Sequence, residues 1–429
     1  MHRNIAFIVL GMILCCCNIV GATDFPNFEL KALLESALKQ NPDLKATYHR
    51  WQASRAAIIH KTALPDPQVN FRHNIEPVQT RTGEQNQVLT ISQMLPFPGK
   101  QTAAITLNRH MAELQKIQYE ISLRNLISEI KKTYAETVFL TAAVRLTRQQ
   151  QQLVESINNH ITANQEESVL LPTLRAQSQL AQSTNDLIRF SELLSINKAK
   201  LKALSGLETL SEIQFEKLPD HQVVESENSL LEMTIKNRLE VLAAKTGQRA
   251  AETSFRLARF ENLPDFTLGF SQSFTGSRPD LNGANLKGEG TDALGVYMQI
   301  NLPIWQKKKQ SRMREAGHKK LEAKARLSAE VENAKAKFSE LWFNLANRRR
   351  LVQIYRQTIV PQAKQALDSA TSIYLNDQSK FADYLESANT FFSLQIAAYR
   401  AEADLFISAT DLESFSSHTF ELAWTGNEP

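Results

Sequence analysis

The chain has 429 residues, with 49 Lys and Arg against 45 Asp and Glu for a net charge of +4. Charge so balanced and dispersed, with no basic and aromatic patch, argues against nucleic acid as a partner. All 3 cysteines stand together at Cys15, Cys16 and Cys17, so beyond residue 17 no disulfide, thiolate metal site or cysteine nucleophile can form. The 9 histidines are scattered, with no pair at helical ligand spacing, and the sequence offers no metal site and no cofactor motif.

Arg3 precedes an apolar run from Ile5 to Val20, and Val20-Gly21-Ala22 offers a cleavage point before Thr23. Residues 1–22 are therefore expected to be an export signal. Lipidation at one of the cysteines stays open, although none follows the small residue that such processing prefers. Beyond this segment no apolar stretch approaches the roughly 20 residues of a spanning helix, so any entry into a membrane must be made with strands. Only 14 Gly and 14 Pro punctuate the chain, and they cluster, which implies long uninterrupted helices.

The sequence reads twice. Asn41-Pro42-Asp43-Leu44 is followed by a helical stretch, Leu64-Pro65-Asp66, two strand-like runs and Leu95-Pro96. Arg238-Leu239-Glu240-Val241 is followed in the same order by Leu263-Pro264-Asp265, two strand-like runs and Leu302-Pro303. The offset between corresponding marks widens along the chain, as expected if the second copy gained loop residues around Gly276 to Gly290. The expected organisation is a first repeat at 23–205, a linker at 206–226, a second repeat at 227–415 and a tail at 416–429.

Between the Leu-Pro marks, at about 66–95 and 265–302, the apolar period changes from 3.6 to 2. Phe266, Leu268 and Phe270 alternate with polar or small neighbours, as do Leu294, Val296, Met298 and Ile300. Val69, Phe71, Leu89 and Ile91 repeat the pattern in the first copy. Strands of about 10 residues with one apolar face suit a transmembrane barrel, and the second-copy apolar residues are the candidate lipid-facing set. An ordinary solvated hairpin has the same pattern. Four strands cannot close a barrel, and open edges are untenable in lipid. Two copies give eight strands, too narrow for a channel; three give twelve, so a membrane role favours a homotrimer.

Each second strand leads into a proline-free stretch, roughly Gly99 to Asn164 and Trp305 to Val360. About 65 helical residues make a rod near 100 Å long. Leu107, Met111, Leu114, Ile117, Ile121, Ile127, Ile130, Tyr134 and Val138 recur mostly at steps of three and four, the seam of helices packed side by side. Returning helices at Thr173 to Leu204 and Phe381 to Leu412 complete helical hairpins at about 99–204 and 305–412. Their tips fall near Asn164 to Val169 and Asn376 to Lys380. Lys307, Lys308 and Lys309 open the second long helix, where the helix dipole disfavours cations; headgroup phosphates and solvent are both open to them.

The Asn-Pro-Asp-Leu opening at 41–44, the helices ending in Leu-Pro-Asp, and the strands closing with Gln93-Met94-Leu95-Pro96-Phe97-Pro98-Gly99-Lys100 or Asn301-Leu302-Pro303-Ile304-Trp305 resemble the TolC-like outer membrane efflux proteins. The resemblance rests on the order of weak motifs, repeated twice, and covers nearly the whole chain after the signal. It implies a mainly α protein with a small transmembrane β portion, built by internal duplication. Two β-hairpins per protomer would form a twelve-stranded barrel in the outer membrane of a Gram-negative bacterium, with the helical hairpins as a periplasmic tunnel. It further implies a periplasmic adaptor and an inner-membrane transporter of the resistance-nodulation-division type as partners.

The resemblance departs at the tips, where Glu166 and Asp377 stand in place of the usual glycine. Pro172 replaces an aspartate that the second copy keeps as Asp383. Glu166, Glu167, Asp377 and Asp383 are the candidate gate, since threefold symmetry multiplies each into a ring of charge that attracts cations; solvated helix ends would look the same. Tyr374 and Lys380 are candidate adaptor contacts. The expected function is passive conduction in a tripartite efflux system. The Leu-Pro-Asp-Pro and Pro-Phe-Pro-Gly-Lys segments resemble branches that export heavy-metal cations, while no cluster of metal ligands appears. Two alternatives are an outer-membrane component of type I protein secretion and a periplasmic coiled-coil scaffold or adaptor. No Gly-x-Ser-x-Gly, His-Glu-x-x-His or phosphate loop supports an enzyme.

Overall fold

The computed structural model describes residues 28–163, 170–210, 214–215, 217–221, 226–277, 288, 290–377, 380–416 and 422–423. The expected signal, the three cysteines, Glu166 and Glu167 lie outside the described residues. In chain order the elements are α1 (Phe28–Gln40), α2 (Pro42–Thr62), β1 (Gln68–Thr80), β2 (Gly83–Leu95), α3 (Lys100–Ala163), α4 (Leu170–Ser205) and β3 (Asp220–His221). They continue with α5 (Glu227–Asn237), α6 (Leu239–Phe260), β4 (Phe266–Thr275), β5 (Ala293–Ile300), α7 (Gln306–Ile354), α8 (Val360–Asn376), α9 (Phe381–Ser416) and β6 (Leu422–Ala423). The second long helix does not stop at Val360. A π-turn over Tyr355–Ile359 carries α7 into α8, widening the helix just before Pro361, which lacks a backbone N–H.

The chain divides into two compact units, and each draws on both halves of the sequence. One comprises 1–48, 118–242 and 330–429; the other comprises 49–117 and 243–329. The first, here the helical unit, buries a stripe of α1 formed by Leu30, Leu33, Leu34 and Ala37. Their i, i+3, i+4, i+7 spacing places them on one helix face. That face packs with Ile130, Tyr134 and Val138 of α3, Leu201 of α4 and Phe406 of α9. Each fully buried leucine contributes roughly 1.5–3 kcal/mol by leaving water.

Charge joins the same helices. Lys131 of α3 donates to both carboxylate oxygens of Glu413 of α9 at 2.8 Å, in a buried pair. Arg400 of α9 reaches Glu136 of α3 at 2.7 Å and stacks over Phe139. Because the lysine and its carboxylate lie on different halves of the chain, this ion pair ties one repeat to the other.

The Asn-Pro-Asp-Leu mark is a helix start. Asn41 is buried, and its Oδ1 accepts from the Leu44 backbone N–H at 3.0 Å while its Nδ2 donates to the Leu204 carbonyl at 3.1 Å. Pro42 occupies the first helical position, which needs no donor, and Asp43 faces the positive end of the helix dipole. Gly206 ends α4 at φ +69°, and a Cβ there would stand 2.7 Å from Gln40 Cβ; only glycine fits both the conformation and the approach.

Asn41→Ala removes the cap and the contact to α4 and should destabilise the protein by about 1–2 kcal/mol. Asn41→Asp keeps the acceptor for Leu44 but cannot donate to Leu204, so its loss should be smaller. Thermal unfolding of the detergent-solubilised protein checks the order, and equal melting of all three forms would refute the cap.

Candidate channel wall and periplasmic tip

The second unit holds all four long strands in one antiparallel sheet, in the order β1-β2-β4-β5. The two hairpins that the sequence predicts separately are joined by β2 pairing with β4, Leu95 opposite Phe266 through Val88 opposite Ser273. Directly opposed residues share a face, so the register can be read across the sheet. One row contains Val69, Ile91, Phe270 and Val296, and the next contains Phe71, Leu89, Gln272 and Leu294. Towards the Leu-Pro marks come Gln93, Leu268 and Met298, then Leu95, Phe266 and Ile300. One face is therefore mostly apolar over all four strands, broken by Gln93 and Gln272, and it is open: Val296 is 81% exposed, Leu294 67% and Phe71 61%.

The other face is mostly polar: it carries Gln68, Asn70 and Arg72 on β1, Thr90 and Ser92 with Val88 and Met94 on β2, Thr267, Ser271 and Ser273 on β4, and Tyr297 and Gln299 on β5. Here Tyr297 lies across Gly269, where a Cβ would stand 2.2 Å from the ring. The glycine leaves room for the aromatic to cover the strand. Every residue of the candidate lipid-facing set falls on the apolar face, with Phe266 only partly exposed. Among the described residues of the unit, nothing covers a patch of this extent.

At the strand roots one carboxylate serves both halves. Asp265, at the start of β4, is buried; its Oδ1 accepts from the Phe97 N–H at 3.0 Å and its Oδ2 from Lys100 Nζ at 2.7 Å. It thereby fixes the turn from β2 into α3. Its counterpart Asp66 is exposed and has no ion-pair partner among the described residues.

At the tip of the second helical hairpin, the Asp377 N–H closes the end of α8 on the Ile373 carbonyl at 2.9 Å, and the Lys380 N–H returns to the Asp377 carbonyl at 3.1 Å. Asp377, Lys380 and Asp383 are all exposed, and Asp383 lies in the first turn of α9. Tyr374 is instead buried, its ring stacked on Tyr384 at 5.1 Å and set edge-on to Phe381 at 6.2 Å. Burial, and then Tyr384 beside it, raises its phenol above the ordinary range. Sequence reading put Tyr374 on the docking surface; its ring holds the hairpin tip together, with Val154 of α3 and Ala176 of α4 in the same cluster.

The two units differ in charge. Among the described residues the sheet-bearing unit holds 21 Lys and Arg against 10 Asp and Glu, whereas the helical unit holds 25 of each. Part of the positive excess gathers in a cleft of about 450 Å³ where Arg249, Arg256 and Arg259 of α6 meet His110 of α3 and Lys320 of α7. In the helical unit, Arg238 and Glu240 occupy the place that Asn41 holds in the first copy. Arg238 lies 3.8 Å from the centre of the Phe415 ring, and Arg124 grips Glu240 with contacts of 2.6 and 3.0 Å. Burial pushes the Glu240 carboxyl up, but Arg124 and Arg238 outweigh it and hold the group below its ordinary value.

Among the described residues no helix is long and apolar enough to cross a membrane, and no group of His, Cys, Asp and Glu is placed to hold a metal ion. The sequence matches the description "outer membrane efflux protein" over residues 33–207 and 230–416. The chain belongs to the outer membrane efflux protein family. Its fold is shared with the Campylobacter jejuni CmeC outer membrane channel at 15% identity and a TM-score of 0.76, covering 94% of this chain and 88% of that one. The Neisseria gonorrhoeae MtrE outer membrane channel, in its open state, is similar at 15% identity and 0.75, covering 91% and 89%. CusC, described in terms of transmembrane channel formation, is similar at 16% identity and 0.74, covering 92% and 94%. No curated protein sequence matches the chain.

Membership makes the protein an efflux channel component of the Gram-negative outer membrane with a periplasmic helical tunnel. It carries out no enzymatic reaction. The family forms trimers and works with adaptors and inner-membrane pumps, which removes the ground for a soluble scaffold. Sequence reading missed the Asp265 clamp, although the double occurrence of Leu-Pro-Asp marks the residue. It also missed the Lys131–Glu413 pair, for which a single sequence carries no local signal.

Val296→Asp places a charge on the apolar face and should cost roughly 2–4 kcal/mol near a bilayer midplane, reducing the trimer recovered from membranes. Ser273→Asp, on the polar face, should assemble normally. Equal recovery of the two variants would contradict the register.

Proposed function

We propose that three copies of this chain close one twelve-stranded barrel, apolar face to lipid and polar face to the lumen, and that the resulting duct is passive. The observation that carries this reading is the single apolar face running in register over four strands and ending at two unpaired edges, β1 and β5. Phe266, Leu268, Phe270, Leu294, Val296, Met298 and Ile300 are its lipid contacts. A lumen lined mostly by hydroxyl and amide groups keeps solutes hydrated without binding them. Selection of cargo then belongs to the inner-membrane transporter, of the resistance-nodulation-division type, reached through a periplasmic adaptor. Heavy-metal cations, which the Pro-Phe-Pro-Gly-Lys resemblance suggests as cargo, would have to pass a sheet-bearing unit rich in positive charge. Selection for them is therefore best made at the pump.

The periplasmic end is the gate in this reading. Asp377 and Asp383 form acidic rings at the tip, with Glu166 and Glu167 as further candidates on the other hairpin, and the exposed Lys380 is the adaptor contact. Asp383 also faces the N-terminus of α9, where a carboxylate is favourable by about 0.3–1 kcal/mol.

Planar-bilayer recording of the purified trimer tests the gate. Asp377→Ala/Asp383→Ala should raise open probability or lower cation preference, and Asp377→Asn/Asp383→Asn should do the same. Unchanged conductance and selectivity in both would discard the acidic gate while leaving the duct intact.

A further inference from the structure

The repeat and the Asp265 clamp together specify how neighbouring copies join. Within one chain, the contact between the first hairpin and the second has three parts: β2 pairs with β4, Asp265 accepts from the Phe97 N–H, and Asp265 pairs with Lys100. Aligning the copies on their Leu-Pro marks makes Leu302 the counterpart of Leu95, Ile304 of Phe97, Lys307 of Lys100, and Asp66 of Asp265. β5 then stands for β2, and β1 for β4. The counterparts of the clamp lie at opposite edges of the sheet, too far apart in its strand order to meet in one chain. Both are exposed, and neither Asp66 nor Lys307 has an ion-pair partner among the described residues.

We infer that Asp66 of one subunit clamps the β5-to-α7 turn of its neighbour, accepting from the Ile304 N–H and pairing with Lys307. The same substitution gives the strand register across the subunit boundary. Met94 opposite Thr267 and Gln93 opposite Leu268 become Asn301 opposite Gln68 and Ile300 opposite Val69 of the partner subunit. Gln299 then faces Asn70 of the partner subunit, and Met298 faces Phe71 of the partner subunit.

The face parity supplies an independent check. Val69 and Phe71 lie on the apolar face of one edge, and Ile300 and Met298 lie on the apolar face of the other. The transferred register therefore continues the apolar band across the boundary, whereas a slip of one residue would set apolar against polar side chains throughout. It also gives Lys307 a role apart from Lys308 and Lys309. A cation at the start of α7 is disfavoured by the helix dipole and has no acidic residue in that turn to offset it; the partner subunit's carboxylate supplies one.

The inference rests on the shared trimeric barrel, and the test separates the two. Full-length wild type, Asp66→Lys, Lys307→Asp and the swap Asp66→Lys/Lys307→Asp are extracted from outer membranes. The temperature at which each trimer dissociates is read on unboiled gels. Each single reversal should lower the midpoint and increase its dependence on salt, and the swap should recover more than half of the loss. Lys308→Asp should shift it less than Lys307→Asp. Single reversals that melt like wild type, or a swap no better than the worse single variant, would overturn the clamp while leaving the trimer standing. A wild type that never forms a trimer would overturn the barrel reading and the clamp with it.

Discussion

A β-sheet with two unpaired edges cannot stay in a hydrocarbon layer, because each unsatisfied backbone group there costs several kcal/mol. The four-stranded sheet of this protein ends at β1 and β5, and its apolar face is exposed along its whole width. Everything else follows from the need to close that sheet with other copies. Threefold closure requires each chain to present complementary edges, and an internal duplication supplies them, since the contact made between its halves can be repeated between its subunits.

The duplication also sets how the chain is stabilised. Each compact unit takes segments from both repeats, so part of its internal packing joins one copy to the other, as β2 pairing with β4 does. Lys131 with Glu413 and Asp265 with Lys100 are examples of charge joining the halves. Breaking such a buried pair is expensive because it strands a charge, which favours correct pairing of the halves over alternatives. Where the copies have diverged, the physics has been replaced in kind: the neutral cap of Asn41 gives way to the charged grip of Arg124 and Arg238 on Glu240.

Much of this was legible in the sequence because the signals are periodic or repeated. The change of period from 3.6 to 2 located the strands, and the alternation of Val296 and Met298 with Tyr297 separated the two faces of β5. The proline-free stretches located the long helices, although the passage through Pro361 depended on a π-turn that no propensity announces. What could not be read were contacts made at long sequence separation. The inward turn of Tyr374 depends on Tyr384 and Phe381 across the hairpin tip, and an aromatic at a helix end reads equally well as surface or core. The burial of Asp265 depends on Lys100, far away in the chain. Charge was legible only as a total, and its division among the described residues into a basic sheet-bearing unit and a balanced helical unit needed the fold.

In the proposed barrel, β5 of one chain pairs with β1 of the next. Residues 23–429 contain no cysteine, so a disulfide can be introduced without interference. Asn70→Cys/Gln299→Cys places one thiol at each edge, both on the polar face. Oxidation of outer membranes should give a covalent trimer that reverts to monomer on reduction, while Phe71→Cys/Gln299→Cys, whose thiols face opposite sides, should not cross-link. Exclusively monomeric chains from the first pair would contradict the shared barrel.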